Sequence, residues 1–334
     1  MNHFIDTSND DGAPAEADRV PLLTGPKRQH FLPRFYLKGF TADDDLLSVY
    51  DRTTGEVRRQ APDNTAVTGH LYTLTDDQGR KRFELEAALA AIEAAASNHL
   101  PTLIKGAPLS EEARGALSYF FAAMAVRTPE FIQSIQHANG QLLKRVSQML
   151  FSTPQQAMIA LRARPDNAGK SDAELFDEAL ELADFMEEDD FEVTTAHSEA
   201  VLTALPLADT VAPIFFSRSW TVLEAPRGSS FVTTDAAMML TSLATRPHRF
   251  GLGHGSPDAL TVLPLSSGHA IAMFGSGPTI RRWKIDTQKV REINISLADR
   301  AQRFLFARDD RHAAAIGRAA RMTEKTWRPR FHVG

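Results

Sequence analysis

Three helical signals follow one another between residues 83 and 150, and they constrain the fold more than any other feature of the chain. Over 83–105, Leu85, Leu89, Ile92, Ala96, His99 and Leu103 recur at steps of four and three, which gathers them into one apolar stripe. Ser110, followed by Glu111 and Glu112, predicts the start of a second helix. A serine side chain caps free backbone N–H groups, and acids suit the positive first turn. This helix runs through Leu117, Phe120, Phe121 and Met124 to about Thr128, Pro129 begins a new turn, and 131–150 is helical again.

The flanks read as strand. Residues 46–52 and 56–60 surround Thr53-Thr54-Gly55, a hairpin signal with glycine in the turn. A further strand is expected over 70–75, closed by Asp76-Asp77-Gln78-Gly79. After a helix over 198–208, the segments 220–223, 231–234, 259–263 and 269–274 are short, β-prone and separated by Gly, Pro and Ser. A last helix is expected after Ser296, from Leu297, Ala301, Phe304, Leu305 and Arg308. The fold class is therefore α+β, with short antiparallel strands at both ends of the chain around a central group of long helices. Residues 1–25 read as a disordered acidic tail and 26–310 as a single domain. That domain carries a helical acidic insertion near 153–192, and a basic C-terminal tail covers 311–334.

Composition narrows the chemistry. Lys plus Arg is 37 and Asp plus Glu is 42, a net charge of −5, which disfavours a large electrostatic footprint for nucleic acid. Cysteine is absent, so disulfides, thiolate metal sites and a cysteine nucleophile are excluded. A metal would need His, Asp or Glu, and a divalent ion on oxygen and imidazole ligands is the expected form. Residues 1–18 are acidic without an apolar core, unlike a secretory signal. The apolar run 116–126 is far shorter than the about 20 residues of a membrane span. A soluble cytoplasmic protein is expected.

Charge is uneven along the chain. Residues 171–192 hold eleven acids and no base, with Leu175, Phe176, Leu180, Leu182, Phe185 and Met186 interspersed. This is a solvated helix on an inserted arm, or a contact for a basic partner. Residues 300–330 hold nine Lys or Arg against three acids. Opposite charges on separate segments can also pair within a homo-oligomer.

Several motifs fail. Gly169-Lys170-Ser171 resembles the end of a phosphate loop, but position 164 is Arg164 and no strand precedes it. Gly251-Leu252-Gly253 lacks a third glycine at Ser256. No HExxH occurs, and His248, His254 and Asp258 share a Gly/Pro loop, where surface histidines are commoner than metal ligands.

Five residues are hard to explain as packing. Arg127 lies seven after Phe120 and three after Met124, on the same apolar face. A buried guanidinium requires an acidic partner. Glu86 and Glu93, seven apart on the preceding helix, are the candidates. They either form a structural salt bridge or position an anion-binding arginine. Asp235 ends the strand Phe231-Val232-Thr233-Thr234, where it either caps the next turn or serves as a general base or metal ligand. His30 stands where the chain enters an aromatic segment, as a core or cap residue or a base.

The run His30-Phe31-Leu32-Pro33-Arg34-Phe35-Tyr36-Leu37, closed by Phe40, resembles the opening motif of an uncharacterised bacterial family, the domain of unknown function DUF4238. Its pattern there is roughly H-[YF]-[VIL]-P-x-F-Y-L-x-x-F. Tyr72, the Glu86…Glu93 helix, Arg127-Thr128-Pro129, Trp220, Thr233-Thr234-Asp235, Pro264-Leu265-Ser266 and Asn294 follow in the family's order, over about residues 28–308. The family often has Asn and Pro after the Asp, where this chain has Ala236 and Ala237. The resemblance implies no activity. It implies that His30, Glu86, Glu93, Arg127 and Asp235 belong to one pattern.

Such a set is the parts list of a hydrolase: a base, carboxylates for water or a metal, and a cation for a developing anion. Phosphoester or nucleic-acid hydrolysis is the expected function, provided the five side chains converge. The alternative is a non-catalytic binding or regulatory protein, a defence or stress component, that contacts partners through its charged arms.

Overall fold

The computed structural model describes residues 21–244 and 251–321. Most of the acidic N-terminal tail, His248 and the end of the basic C-terminal stretch lie outside them. The chain opens with β1 (Arg28–His30), α1 (Arg34–Leu37) and a 3-10 turn Lys38–Phe40. Next come β2 (Leu47–Asp51), β3 (Val57–Gln60), a 3-10 turn Pro62–Asn64, β4 (Val67–Gly69), β5 (Leu74–Thr75) and β6 (Lys81–Arg82). The helices are α2 (Glu84–Lys105), α3 (Glu111–Val126), α4 (Pro129–Leu150), α5 (Pro154–Arg162), α6 (Asp172–Glu188), α7 (His197–Ala204) and α8 (Leu207–Ser217). The last third holds β7 (Ser219–Glu224), β8 (Thr233–Thr234), β9 (Met239–Ser242), β10 (Ala259–Ser266), β11 (His269–Phe274) and β12 (Ile280–Lys284). It ends in α9 (Thr287–Arg300), β13 (Phe304–Ala307) and α10 (Asp310–Ala319).

The α+β reading is what the structure shows. Helix boundaries follow their caps. Ser110 accepts from the Ala113 N–H, and Thr128 accepts from the Phe131 N–H with Pro129 in the first turn of α4. Gly106 closes α2 in the left-handed region at φ +77°. Helices α2 and α8 pack on α3, whose Leu117, Phe120, Phe121 and Met124 are fully buried.

Two sheets complete the core. One has the order β12-β7-β11-β10-β9, and the other β3-β2-β13-β8. The second sheet joins the two ends of the chain, since β13 pairs with β2 with Phe304 opposite Asp51. The pairing is not wholly antiparallel, because β12 runs parallel to β7.

Four expectations are corrected. The segment 70–75 is largely a turn, with His70 at φ +54° and only Leu74–Thr75 extended. The helix expected after Ser296 is instead the end of α9 followed by β13, where Leu305, Phe306 and Ala307 fill the gap between β2 and β8. A four-residue apolar run fits either period, and the vacant sheet position decides it. Residues 310–319 are not tail but α10, which buries Ala313 and Ile316 beside Tyr50 of β2. The helix expected over 198–208 is two, α7 ending at Ala204 and α8 running from Leu207 to Ser217.

Residues 197–217 form one helical stretch long and apolar enough, by composition, to cross a membrane. In the fold this stretch breaks at Leu205–Pro206, and Ala200, Val201, Ala204, Ala208, Ala212 and Phe215 are buried in the main core.

The acidic insertion is α5 and α6, and it has its own small core of Ala157, Leu161, Leu175 and Ala179. A capping box of Ser171 and Glu174 starts α6. Part of its charge is answered locally, by Lys170 on Glu178 at 2.5 Å, Lys144 on Asp189 at 2.7 Å, and Arg162 on Asp172.

Candidate active site

Three of the five candidates, His30, Glu86 and Glu93, line one cavity of about 670 Å³, together with Arg28, Arg34 and Asp63. Arg127 does not line it but is bonded to two of its lining residues, Glu93 and His30.

Arg127 is the C-cap of α3, and its N–H donates to the Ala123 carbonyl. Its side chain turns inward, as the spacing from Phe120 predicts, and the residue is only 1% exposed. Nη1 donates to Glu93 Oε1 at 2.7 Å, Nη2 to the His30 carbonyl at 2.7 Å, and Nε to Tyr72 Oη at 3.4 Å. Tyr72 returns its own O–H to the Arg127 carbonyl at 2.7 Å. Burial alone would lower the Arg127 pKa, but Tyr72 and Glu93 outweigh it and the net shift is upward. Burial also pushes the Tyr72 phenol up to about 12, so it stays a neutral donor. Gln29 fastens the other side. Its Oε1 accepts from the Tyr72 N–H at 2.7 Å, and its Nε2 donates to Thr73 Oγ1 at 3.0 Å. Glu93 is thus a structural partner of Arg127, and the guanidinium ties β1, α2 and α3 together.

His30 and Glu86 differ from this satisfied network. His30 Nε2 and Glu86 Oε2 are buried, and neither has a hydrogen-bond partner among the described residues. Burial lowers the His30 pKa, assisted by the nearby Arg34 charge and opposed by the Pro62 and Asp63 carbonyls and by Glu93. Burial raises the Glu86 pKa, Arg127 opposes the rise, and Glu93 adds to it. The two groups are shifted in opposite directions, each away from its charged form.

Cations surround the mouth. Arg34 pairs with Asp63 at 3.2 Å and Arg28 donates to Asn64 Oδ1 at 3.0 Å, while Lys38 has no carboxylate partner among the described residues. α1 and the 3-10 turn that follows it carry Arg34 and Lys38 to one side, because Pro33 starts that short helix next to β1.

Asp235 is separate. It does not line this cavity. Its carboxylate accepts from the backbone N–H groups of Gln302 at 2.9 Å, Arg303 at 2.7 Å and Phe304 at 2.9 Å. Burial pushes its pKa up, and these three hydrogen bonds pull against that. It caps the entry to β13 rather than the turn that follows it in sequence, so the requirement that all five side chains converge fails at Asp235. That following turn is strained, with Ala237 at φ +50°.

Other positions of the pattern are also architectural. Trp220 Nε1 donates to the Phe215 carbonyl at 2.9 Å, and Asn294 clamps the strand entry through the Val232 N–H and the Ser230 carbonyl. Gln29, which no motif singled out, belongs to the Arg127 network.

Among the described residues, no three His, Asp or Glu side chains are grouped so that they could hold a metal ion. His254 is engaged by Thr261 and Asp258 by Ser242. No curated protein and no solved structure matches the chain. Residues 28–311 match the family model described as "Protein of unknown function (DUF4238)", and the chain belongs to that family.

Proposed function

We propose that the protein is a hydrolase of phosphoesters, with nucleic-acid phosphodiesters within its reach, and that the His30–Glu86 cavity is its active site; the five-residue constellation does not form, and this reading rests on the smaller set His30 and Glu86 without Asp235. One observation carries this reading. Two buried polar atoms, His30 Nε2 and Glu86 Oε2, lack a partner, and both residues line the same cavity. Each unsatisfied atom costs on the order of 1–3 kcal/mol in the free protein, a cost that bound substrate and water would relieve.

In this reading neutral His30 accepts a proton from the attacking water. Water oxygen bonds to phosphorus, the P–O bond to the leaving group breaks, and protonated Glu86 donates its proton to the departing oxygen. Arg28, Arg34 and Lys38 bind the non-bridging oxygens and offset the charge that develops on them. Arg127 and Glu93 hold β1 against α2 and so fix the separation of base and acid. A soluble, cytoplasmic setting is part of the reading, supported by the cysteine-free composition.

The test is turnover of a panel of phosphomonoesters, phosphodiesters and short DNA and RNA oligonucleotides by the parent, His30→Gln and Glu86→Gln. Turnover by the parent that falls at least about a hundredfold in each variant, with folding unchanged, supports the reading. Equal rates in all three refute it.

The second reading is a binding role for the acidic arm. Phe176, Leu180 and Phe185 remain exposed on α6, beyond what its local ion pairs explain. Deleting 165–192 would then abolish a partner interaction and leave the hydrolysis panel unchanged.

A further inference from the structure

A second cavity, of about 590 Å³, sits on the outer face of the five-stranded sheet and shares no lining residue with the His30–Glu86 site. Its origin is a helix that covers only half a sheet. α9 lays Val290, Ile293 and Leu297 over Leu223, Met239 and Val262. Among the described residues nothing covers the other half of the same face, and the wedge between helix and sheet is the cavity.

Pairing register fixes which side chains face it. Thr221 stands opposite Ala272 and beside Arg281, and Leu223 beside Trp283. Alternation sends Trp220 and Val222 to the core, and both are fully buried. The inner walls are aliphatic, from Leu223, Met239, Leu260, Val262, Ala272 and Ile293. The aromatics stand at the rim, with Phe274 42% and Trp283 66% exposed. Leu243 is 54% exposed at another edge. A contiguous apolar surface of this kind marks a binding site more often than an accident of folding.

Arg281 lines the cavity on the Thr221–Leu223 face and has no carboxylate partner among the described residues. Lys284, opposite Glu224, falls by alternation on the other face of the strand. Lys289 is paired with Glu292 at 2.5 Å. Asp286, the acid at this rim, caps α9 by accepting the Lys289 N–H at 2.7 Å. An aliphatic interior with a guanidinium at its rim complements a ligand with a hydrocarbon body and an anionic head. The planar fork of Arg281 suits a carboxylate.

We propose that this cavity binds a free aliphatic carboxylate of fatty-acid type, with the chain along the α9–sheet wedge and the carboxylate on Arg281. The ligand covers the exposed face of Trp283, which supplies the readout.

The experiment titrates sodium laurate, below its aggregation concentration, into the full chain and follows tryptophan emission, with Trp283→Phe assigning the signal. The expected result is a saturable blue shift that Trp283→Phe removes. Ala272→Phe, which fills the cavity floor, abolishes binding. Arg281→Glu weakens laurate at least about tenfold and leaves neutral dodecanol unchanged. No saturable laurate response in the folded parent overturns the proposal. Laurate binding unaffected by Ala272→Phe or by Arg281→Glu overturns it too. Phosphatidylglycerol vesicles that retain the parent while free laurate does not bind would make the face a membrane contact. Dimerisation lost in Trp283→Ala, again without laurate binding, would make it an interface between two copies. Either result also overturns the proposal.

Discussion

Replacing Glu93 with Gln isolates the ion pair on which the cavity is built. Arg127 is fully buried, and Glu93 is its carboxylate partner, at 2.7 Å. Removing one member of a buried pair typically costs about 3–5 kcal/mol, because the remaining charge loses its compensation. Three features place this pair at the low end. The Glu93 side chain is 25% exposed, the glutamine oxygen can still accept from Nη1, and the His30 carbonyl and Tyr72 hydroxyl remain in place. The expected loss is therefore about 3 kcal/mol. With an unfolding entropy of about 2.1 cal/mol/K per residue over roughly 300 ordered residues, that lowers Tm by about 5 °C. The assay is thermal unfolding of Glu93→Gln, Arg127→Met and the double variant. In the Arg127→Met background the Glu93→Gln change should cost almost nothing, since no buried cation is left to orphan. A Glu93→Gln cost below about 0.5 kcal/mol, or additive effects in the double variant, would refute the reasoning and reduce the pair to a surface-like contact.

Asp235→Ala strands three partly buried backbone N–H groups at residues 302–304, so calorimetry should show a loss of about 2–3 kcal/mol, with Asp235→Asn intermediate. Gly140→Ala places a methyl 2.1 Å from the Val193 carbonyl oxygen. It should cost about 1–3 kcal/mol and speed proteolysis at 190–195 as that segment leaves α4. Glu86 has a raised pKa in the folded state, so the native protein holds its proton where the unfolded chain has lost it. Its stability contribution is complete below the ordinary carboxylate value, about 4.5, and is lost as pH rises through the higher folded value. Glu86→Gln should thus gain stability relative to the parent between pH 5 and pH 8 in denaturant titrations.

Legibility in the sequence followed the range of the signal. Caps and stripes are local, and Ser110, Thr128-Pro129 and the 83–105 repeat placed α2 to α4 within a residue or two. Arg127 was readable because a charged residue on an apolar face must find a partner, and α2 offered only Glu86 and Glu93 on that edge. What failed was non-local. Residues 304–307 become a strand because β2 and β8, both more than 60 residues earlier in the chain, leave a place between them. Asp235 appeared to belong with His30 and Arg127 because order in the chain cannot tell a carboxylate that faces a cavity from one that faces three backbone amides. Gln29 gave no signal at all, since a glutamine beside a histidine motif looks like a surface residue until its amide is seen bridging Tyr72 and Thr73.

The central claim, acid–base hydrolysis by His30 and Glu86, is tested most directly by the pH dependence of kcat/KM for whichever phosphoester the parent turns over fastest. The opposite pKa shifts predict a bell. Its acid limb comes from His30, below the ordinary imidazole value, and its basic limb from Glu86, above the ordinary carboxylate value. His30→Gln should remove the acid limb and Glu86→Gln the basic limb. Absence of turnover in the folded parent, or a profile that neither variant changes, would contradict the account.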